Sequence, residues 1–118
     1  MKGVSTQELV DIYGDLLKSL WGRMAPTLGS ITVQGIFERA AFKTGGKFPF
    51  LSGIKVDEEG VDLSEVRKAV SGERAERVKE AFHDLIGNLF DILAKLTGEA
   101  IASRIMREVE GMLREGST

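Results

Sequence analysis

His83 has the most versatile side chain in this sequence for chemistry, since it is the chain's one histidine and cysteine is absent. An imidazole can serve as general base, nucleophile or metal ligand. Glu80 precedes it by three positions, which gives one Glu-x-x-His half-motif where a di-iron bundle needs two. One histidine without cysteine excludes a histidine-rich or thiolate zinc site. Spacing assigns no serine to His83, so no Ser-His-Asp triad is predicted.

The segment around His83 has a second possible meaning. Residues 83–87 read His-Asp-Leu-Ile-Gly, and this string resembles the motif of histidine-containing phosphotransfer domains, which are also helical bundles. The resemblance implies an exposed His83 imidazole as phosphoryl acceptor, with Gly87 leaving room for a partner's aspartate. Ile86 stands where that family has a lysine, and acidic neighbours surround the position with negative charge. A phosphotransfer domain is therefore one alternative function.

Carboxylate pairs and a glycine pair are the other groups with possible chemistry. Neighbouring carboxylates can share a metal or divide acid and base roles, but a hydrated helix face contains such pairs by default: Asp11 with Asp15, Glu58 with Glu59, and Glu80 with Asp84. Gly45 and Gly46 are flanked by lysines, yet they follow a helix, so helix capping explains them better than a phosphate loop. The sequence predicts no enzyme, no metal and no cofactor.

Composition limits the remaining classes of function. The chain has 118 residues, 42% hydrophobic and 29% charged, with a net charge of -2. This size and composition predict one globular domain over residues 1–118. Without a basic excess a nucleic-acid partner is not expected. No apolar run is long enough for a membrane span and no signal peptide is evident, so a cytoplasmic location is the default expectation.

Apolar residues at steps of three and four predict an all-α bundle of four main helices and one short helix. The first helix covers about residues 6–25, with a capping box at its start, an end near Pro26 and a stripe that includes Ile12. The second begins near Ser30 and ends at Gly45-Gly46. The other helices are expected at 63–71, at 73–96 with Leu96 in its core stripe, and after Gly98 with Ile101, Ile105, Val109 and Met112 or Leu113 inward.

The segment near residues 47–62 loses this helical period and forms an insert. Its apolar and polar residues alternate on both sides of residues 57–60, which predicts a small hairpin with a four-residue turn. An irregular loop over the end of the bundle is the alternative, because two short strands alone are marginally stable.

Apolar residues in excess of one core suggest contact with another chain. Two segments are candidates: the loop residues Phe48 and Phe50, and the broad stripe of the last helix with Ile101, Ile105, Met106 and Val109. The leading hypothesis is a non-enzymatic interaction or signalling module that forms a homodimer through these residues. A small-ligand sensor with its pocket near residues 48–51 is a further alternative.

Overall fold

The computed structural model describes the backbone of residues 5–116 and the side chains of residues 5–111. Within these residues the chain forms a helical bundle with one antiparallel hairpin, which confirms the predicted all-α class and the hairpin insert. The elements are α1 (Thr6–Leu28), α2 (Ser30–Lys47), β1 (Lys55–Asp57), β2 (Gly60–Asp62), α3 (Ser64–Ala69), α4 (Ala75–Thr97) and α5 (Glu99–Gly116), with short 3-10 turns at Pro49–Leu51 and Val70–Gly72.

The start of α1 is the capping box that the sequence predicts. The Ser5 hydroxyl accepts from the Glu8 N–H at 3.1 Å and the Glu8 carboxylate accepts from the Ser5 N–H at 2.9 Å, so two otherwise unpaired helix donors are satisfied. The helix continues through Pro26 and ends at Gly29, whose φ of 88° a glycine adopts without strain. The expected end at Pro26 is therefore about one turn too early.

The glycine pair does not terminate α2, so that prediction is wrong. The helix continues to Lys47, and neither Gly45 nor Gly46 has a positive φ. Gly45 instead permits close packing, because a Cβ there would stand 3.3 Å from the Ser52 Cα of the following loop. A spacing argument cannot separate these two uses of glycine, since they differ only in what packs against the backbone.

The hairpin pairs Val56 with Val61 in antiparallel register. Its turn spans the predicted four residues, with Glu58 and Glu59 between the paired Asp57 and Gly60, and the Asp57 carboxylate accepts from the backbone N–H groups of Glu59 and Gly60. β1 packs against α2 and β2 against α1, which gives this small sheet the support that two short strands need. Asp62 then accepts from both the N–H and the hydroxyl of Ser64 at the start of α3.

The core lies between α1, α2, α4 and α5, and its most enclosed large side chain is Phe82. The α5 residues that enter it are Ala102, Ile105 and Val109, while the side chains of Met112 and Leu113 lie outside the described residues. Two residues assigned to core stripes are exposed instead: Ile12 at 47% and Leu96 at 58%. No helix in the described part of the chain is both long enough and apolar enough to span a membrane.

Candidate functional site

His83 lies exposed on the side of α4 that faces α1. Its ring stands edge-on to Tyr13 with 5.8 Å between ring centroids, and Tyr13 in turn stacks on Phe82 at 4.9 Å. Burial raises the pKa of the Tyr13 phenol, so that hydroxyl stays neutral at physiological pH. Gly87, one turn later, is also exposed. The exposure of His83 and Gly87 matches what the phosphotransfer resemblance implies.

Asp84 points away from His83 and belongs to a polar cluster between α2 and α4. Its carboxylate accepts from the Thr44 hydroxyl at 3.1 Å, from the Asn88 amide at 3.3 Å and from the Lys47 ammonium at 3.3 Å. The Asn88 amide also donates to the Thr44 hydroxyl at 2.9 Å. Thr44 is fully buried. Asp84 therefore connects α4 to α2 through Thr44 and Lys47.

An apolar groove of about 410 Å³ runs beside His83 between α1, α4 and α5. Ile86, at the position where the phosphotransfer family has a lysine, forms part of its wall. His83 and Glu110 are its titratable groups besides Tyr13, and the remaining lining is Leu16, Leu20, Gly87, Phe90, Met106 and Val109. The loop near residues 48–51, by contrast, packs into the bundle, since Phe48 and Leu51 are buried.

The paired carboxylates lie on the surface. Asp11 forms an ion pair with Arg67 at 2.6 Å, and Glu58 and Glu59 occupy the hairpin turn. Glu80 is exposed on α4, whereas Asp84 is engaged with α2. Among the residues whose side chains are described, no three or more histidine, cysteine or acidic residues are grouped so as to hold a metal ion.

The residues proposed for the dimer interface divide into two sets. Phe48, Ile105 and Val109 are 4%, 3% and 4% exposed, so they belong to the chain's own core and offer no surface. They are buried because the stripe of α5 packs on α1 and α4, while Arg77 covers Phe48 with its guanidinium 4.7 Å from the ring centroid. Only the rest of the predicted set remains partly accessible: Phe50, Ile101 and Met106.

Among residues 5–111, the most exposed large apolar side chains lie elsewhere, on the outer face of α2 and the adjoining end of α4. Phe42 is 83% exposed, Ile31 79% and Leu96 58%, and we call these three residues the α2 patch. All three line one depression of about 520 Å³, and Phe42 also borders a second of about 610 Å³ that reaches the hairpin. The three side chains of the patch therefore border one depression, together with Glu38 and Arg39.

The sequence contains a sign of the α2 patch that a search for one inward apolar stripe per helix does not detect. Ile31 and Phe42 are eleven residues apart, which is three helical turns and places them on one face. That face lies opposite the stripe of Val33, Ile36 and Ala40, which is buried. Apolar residues on both sides of one helix indicate a second contact surface.

Comparison of the chain with protein-family models, curated proteins and solved structures finds no match in any of the three.

Proposed function

We propose that this chain is a non-enzymatic helical interaction module that self-associates, and that the α2 patch is the contact surface. The observation that carries the proposal is the exposure of Phe42 and Ile31, at 83% and 79%. Large apolar side chains that are exposed around one depression favour an interaction site, because their hydration is unfavourable and a partner removes them from water. Burying a phenylalanine side chain contributes about 1.5–3 kcal/mol.

A second copy of the chain suits this surface. A two-fold interface must be self-complementary, since the same residues lie on both sides. The outer face of α2 carries Glu38 and Arg39 beside the apolar residues, and both line the same depression as Phe42. A surface with both charges can pair with itself, whereas a strongly one-signed surface would select a partner of opposite charge. We also propose a cytoplasmic location for this module.

Sedimentation equilibrium of the Phe42→Ser variant tests this proposal. Each copy loses the burial of one large aromatic side chain, so the dimer dissociation constant is expected to rise at least tenfold, roughly. The fold should persist, because Phe42 makes little contact with the core, and circular dichroism checks this. Ile12→Ser is the matched control: Ile12 is an exposed apolar residue on α1, and its loss should change the dissociation constant less than about twofold. Equal effects of the two substitutions would contradict the proposal.

Phosphotransfer through His83 is the second candidate, and the joint exposure of His83 and Gly87 favours it. Incubation with acetyl phosphate followed by intact-mass measurement distinguishes the two. An acid-labile phosphoryl adduct that disappears in His83→Gln would establish the phosphotransfer function. Absence of the adduct, together with self-association, is the result expected of the interaction module.

A further inference from the structure

Two glycines share the exposed face of α2 with Ile31 and Phe42. At about 100° per residue, Gly35 and Gly46 fall with those two residues within an arc of about 60°. Neither glycine has a positive φ, and a Cβ added at either would meet nothing within 4 Å. Nothing in the described part of the chain therefore requires a glycine at Gly35, where it weakens the helix by about 1 kcal/mol relative to alanine.

Close contact with the backbone of a partner would explain why a glycine stands at position 35. Because glycine has no Cβ, two helices can approach each other more closely at a glycine than at any other residue. Gly35 lies between Ile31 and Phe42 on the face, so the two large side chains flank a shallow site. This arrangement suits a second helix of similar shape, which would contact the glycine backbone and be held on both sides by apolar side chains.

The charged residues on this face indicate how two copies of α2 are oriented. Glu38 lies on one edge of the face, where it accepts from Gln34 at 3.4 Å, and Arg39 and Lys43 lie on the other edge. In a parallel pair related by a two-fold axis along the helices, the acidic edge of one copy meets the basic edge of the other. An antiparallel pair brings like edges together, acid against acid and base against base. Charge therefore favours the parallel pair.

We infer that two copies of this chain pack α2 against α2 in parallel, with the helices closest at Gly35. Phe42 of one copy then contacts Phe42 of the other, Ile31 contacts Ile31, and Glu38 faces Arg39 across the axis. The inference rests on the proposed function and adds the geometry of the contact, which self-association alone does not specify.

Disulfide cross-linking reads this geometry, because the natural sequence has no cysteine. Ile31→Cys and Gly46→Cys are made separately, one near each end of the face. In the parallel pair each position lies beside its own copy, within the Cα separation of about 4.4–6.8 Å that a disulfide needs. In an antiparallel pair centred on this face, each position is about 22 Å from its copy along the helix. Gly22→Cys on α1 is the control, since that glycine also has open space around it.

The expected result is rapid oxidation of both α2 variants to covalent dimers, with the Gly22→Cys variant remaining uncross-linked. Cross-linking only in a mixture of Ile31→Cys and Gly46→Cys would show an antiparallel pair and overturn the inference. No cross-linking in a chain that still sediments as a dimer would also overturn it, while leaving self-association intact. A chain that sediments as a monomer would refute the proposed function itself.

A second variant pair tests the close approach at Gly35. Gly35→Gln places a long, neutral side chain where the helices are closest. It should raise the dimer dissociation constant by about tenfold or more. Gly22→Gln makes the same change at an exposed helical glycine away from the patch and should leave the constant within about twofold. Both variants should fold, because glutamine is a better helix former than glycine. Unchanged association of Gly35→Gln would contradict the inference.

Discussion

Thr44 is the fully buried polar side chain of the described core, and its hydrogen bonds join α2 to α4. It donates to Asp84 and accepts from Asn88. Thr44→Val keeps the shape of the side chain but leaves both partners without one hydrogen bond. Because an unsatisfied partly buried group costs more than the bond itself contributes, we expect the free energy of unfolding to fall by about 1–3 kcal/mol.

Urea denaturation followed by circular dichroism measures this change. Thr27→Val is the control, since Thr27 is exposed in the last turn of α1, and a surface substitution of this kind usually changes stability by less than about 0.5 kcal/mol. If Thr44→Val is as stable as the natural chain, the cluster does not hold the two helices together.

Asp62 makes the start of α3 sensitive to acid. The Ser64 hydroxyl, followed by the Ser64 N–H, holds the pKa of the Asp62 carboxyl below its ordinary value. A lowered pKa in the folded state contributes stability that is present above the unfolded pKa and is lost as the pH falls through the folded pKa. Asp62→Asn should therefore destabilise the chain near neutral pH, and the difference from the natural chain should shrink below about pH 4.

Urea midpoints measured from about pH 2 to pH 7 test this pH dependence. Glu59→Gln removes one negative charge from the hairpin turn nearby and leaves the Ser64 hydrogen bonds in place, so it controls for net charge. A stability difference for Asp62→Asn that does not change with pH would contradict the assignment.

At the scale of elements, the sequence predicted the helices and strands that depend on residues close together in the chain. The apolar stripe of α4, the capping box at Ser5 and the alternation around Val56 and Val61 each depend on neighbours a few residues away. The close packing at Gly45 depends on Ser52, which comes from the next loop. Such contacts between distant elements leave no periodic pattern in the sequence, so they could not be predicted from it.

The candidate surface shows the same limit more sharply. The stripes of α4 and α5 are both apolar in the sequence, but only the fold shows that Ile105 and Val109 of α5 are buried in the chain's own core. The inward stripe of α2 does not include Phe42, whose exposure is evident only in the fold. Exposure of an apolar residue depends on the assembled bundle, so the spacing of Ile31 and Phe42 places them on one face of α2 but does not show that this face is exposed.

The loop between α2 and the hairpin is an element of the core despite its irregular backbone. Leu51, in the 3-10 turn, is fully buried. Leu51→Ala removes buried methyl groups and leaves a cavity, which should lower the free energy of unfolding by about 2–5 kcal/mol.

Chemical denaturation measures the loss at Leu51. Ile12→Ala is the control, because Ile12 is 47% exposed on α1 and its truncation leaves no enclosed cavity. A cost for Leu51→Ala no larger than that of the control would show that the loop does not close the core.

On the scale of the whole molecule, the two sides of the bundle differ in what they leave exposed. The α1, α4 and α5 side carries His83 beside an apolar groove, in which Met106 is exposed and Ile86 and Phe90 are half-buried. The outer face of α2 leaves Ile31 and Phe42 exposed to water, whereas Val33, Ile36 and Ala40 on the opposite face of the same helix are buried. One monomer thus has its own buried core and still exposes apolar side chains on one face. This is the arrangement expected if a second copy binds there.

The mass of the unmodified chain in solution tests self-association most directly. Static light scattering over a concentration series from about 1 to 500 µM covers the range in which a modest interface associates. We predict that the mass rises with concentration from 12.9 kDa toward twice that value and then stays constant, since a two-fold interface closes on itself. A mass that remains at 12.9 kDa throughout would contradict it.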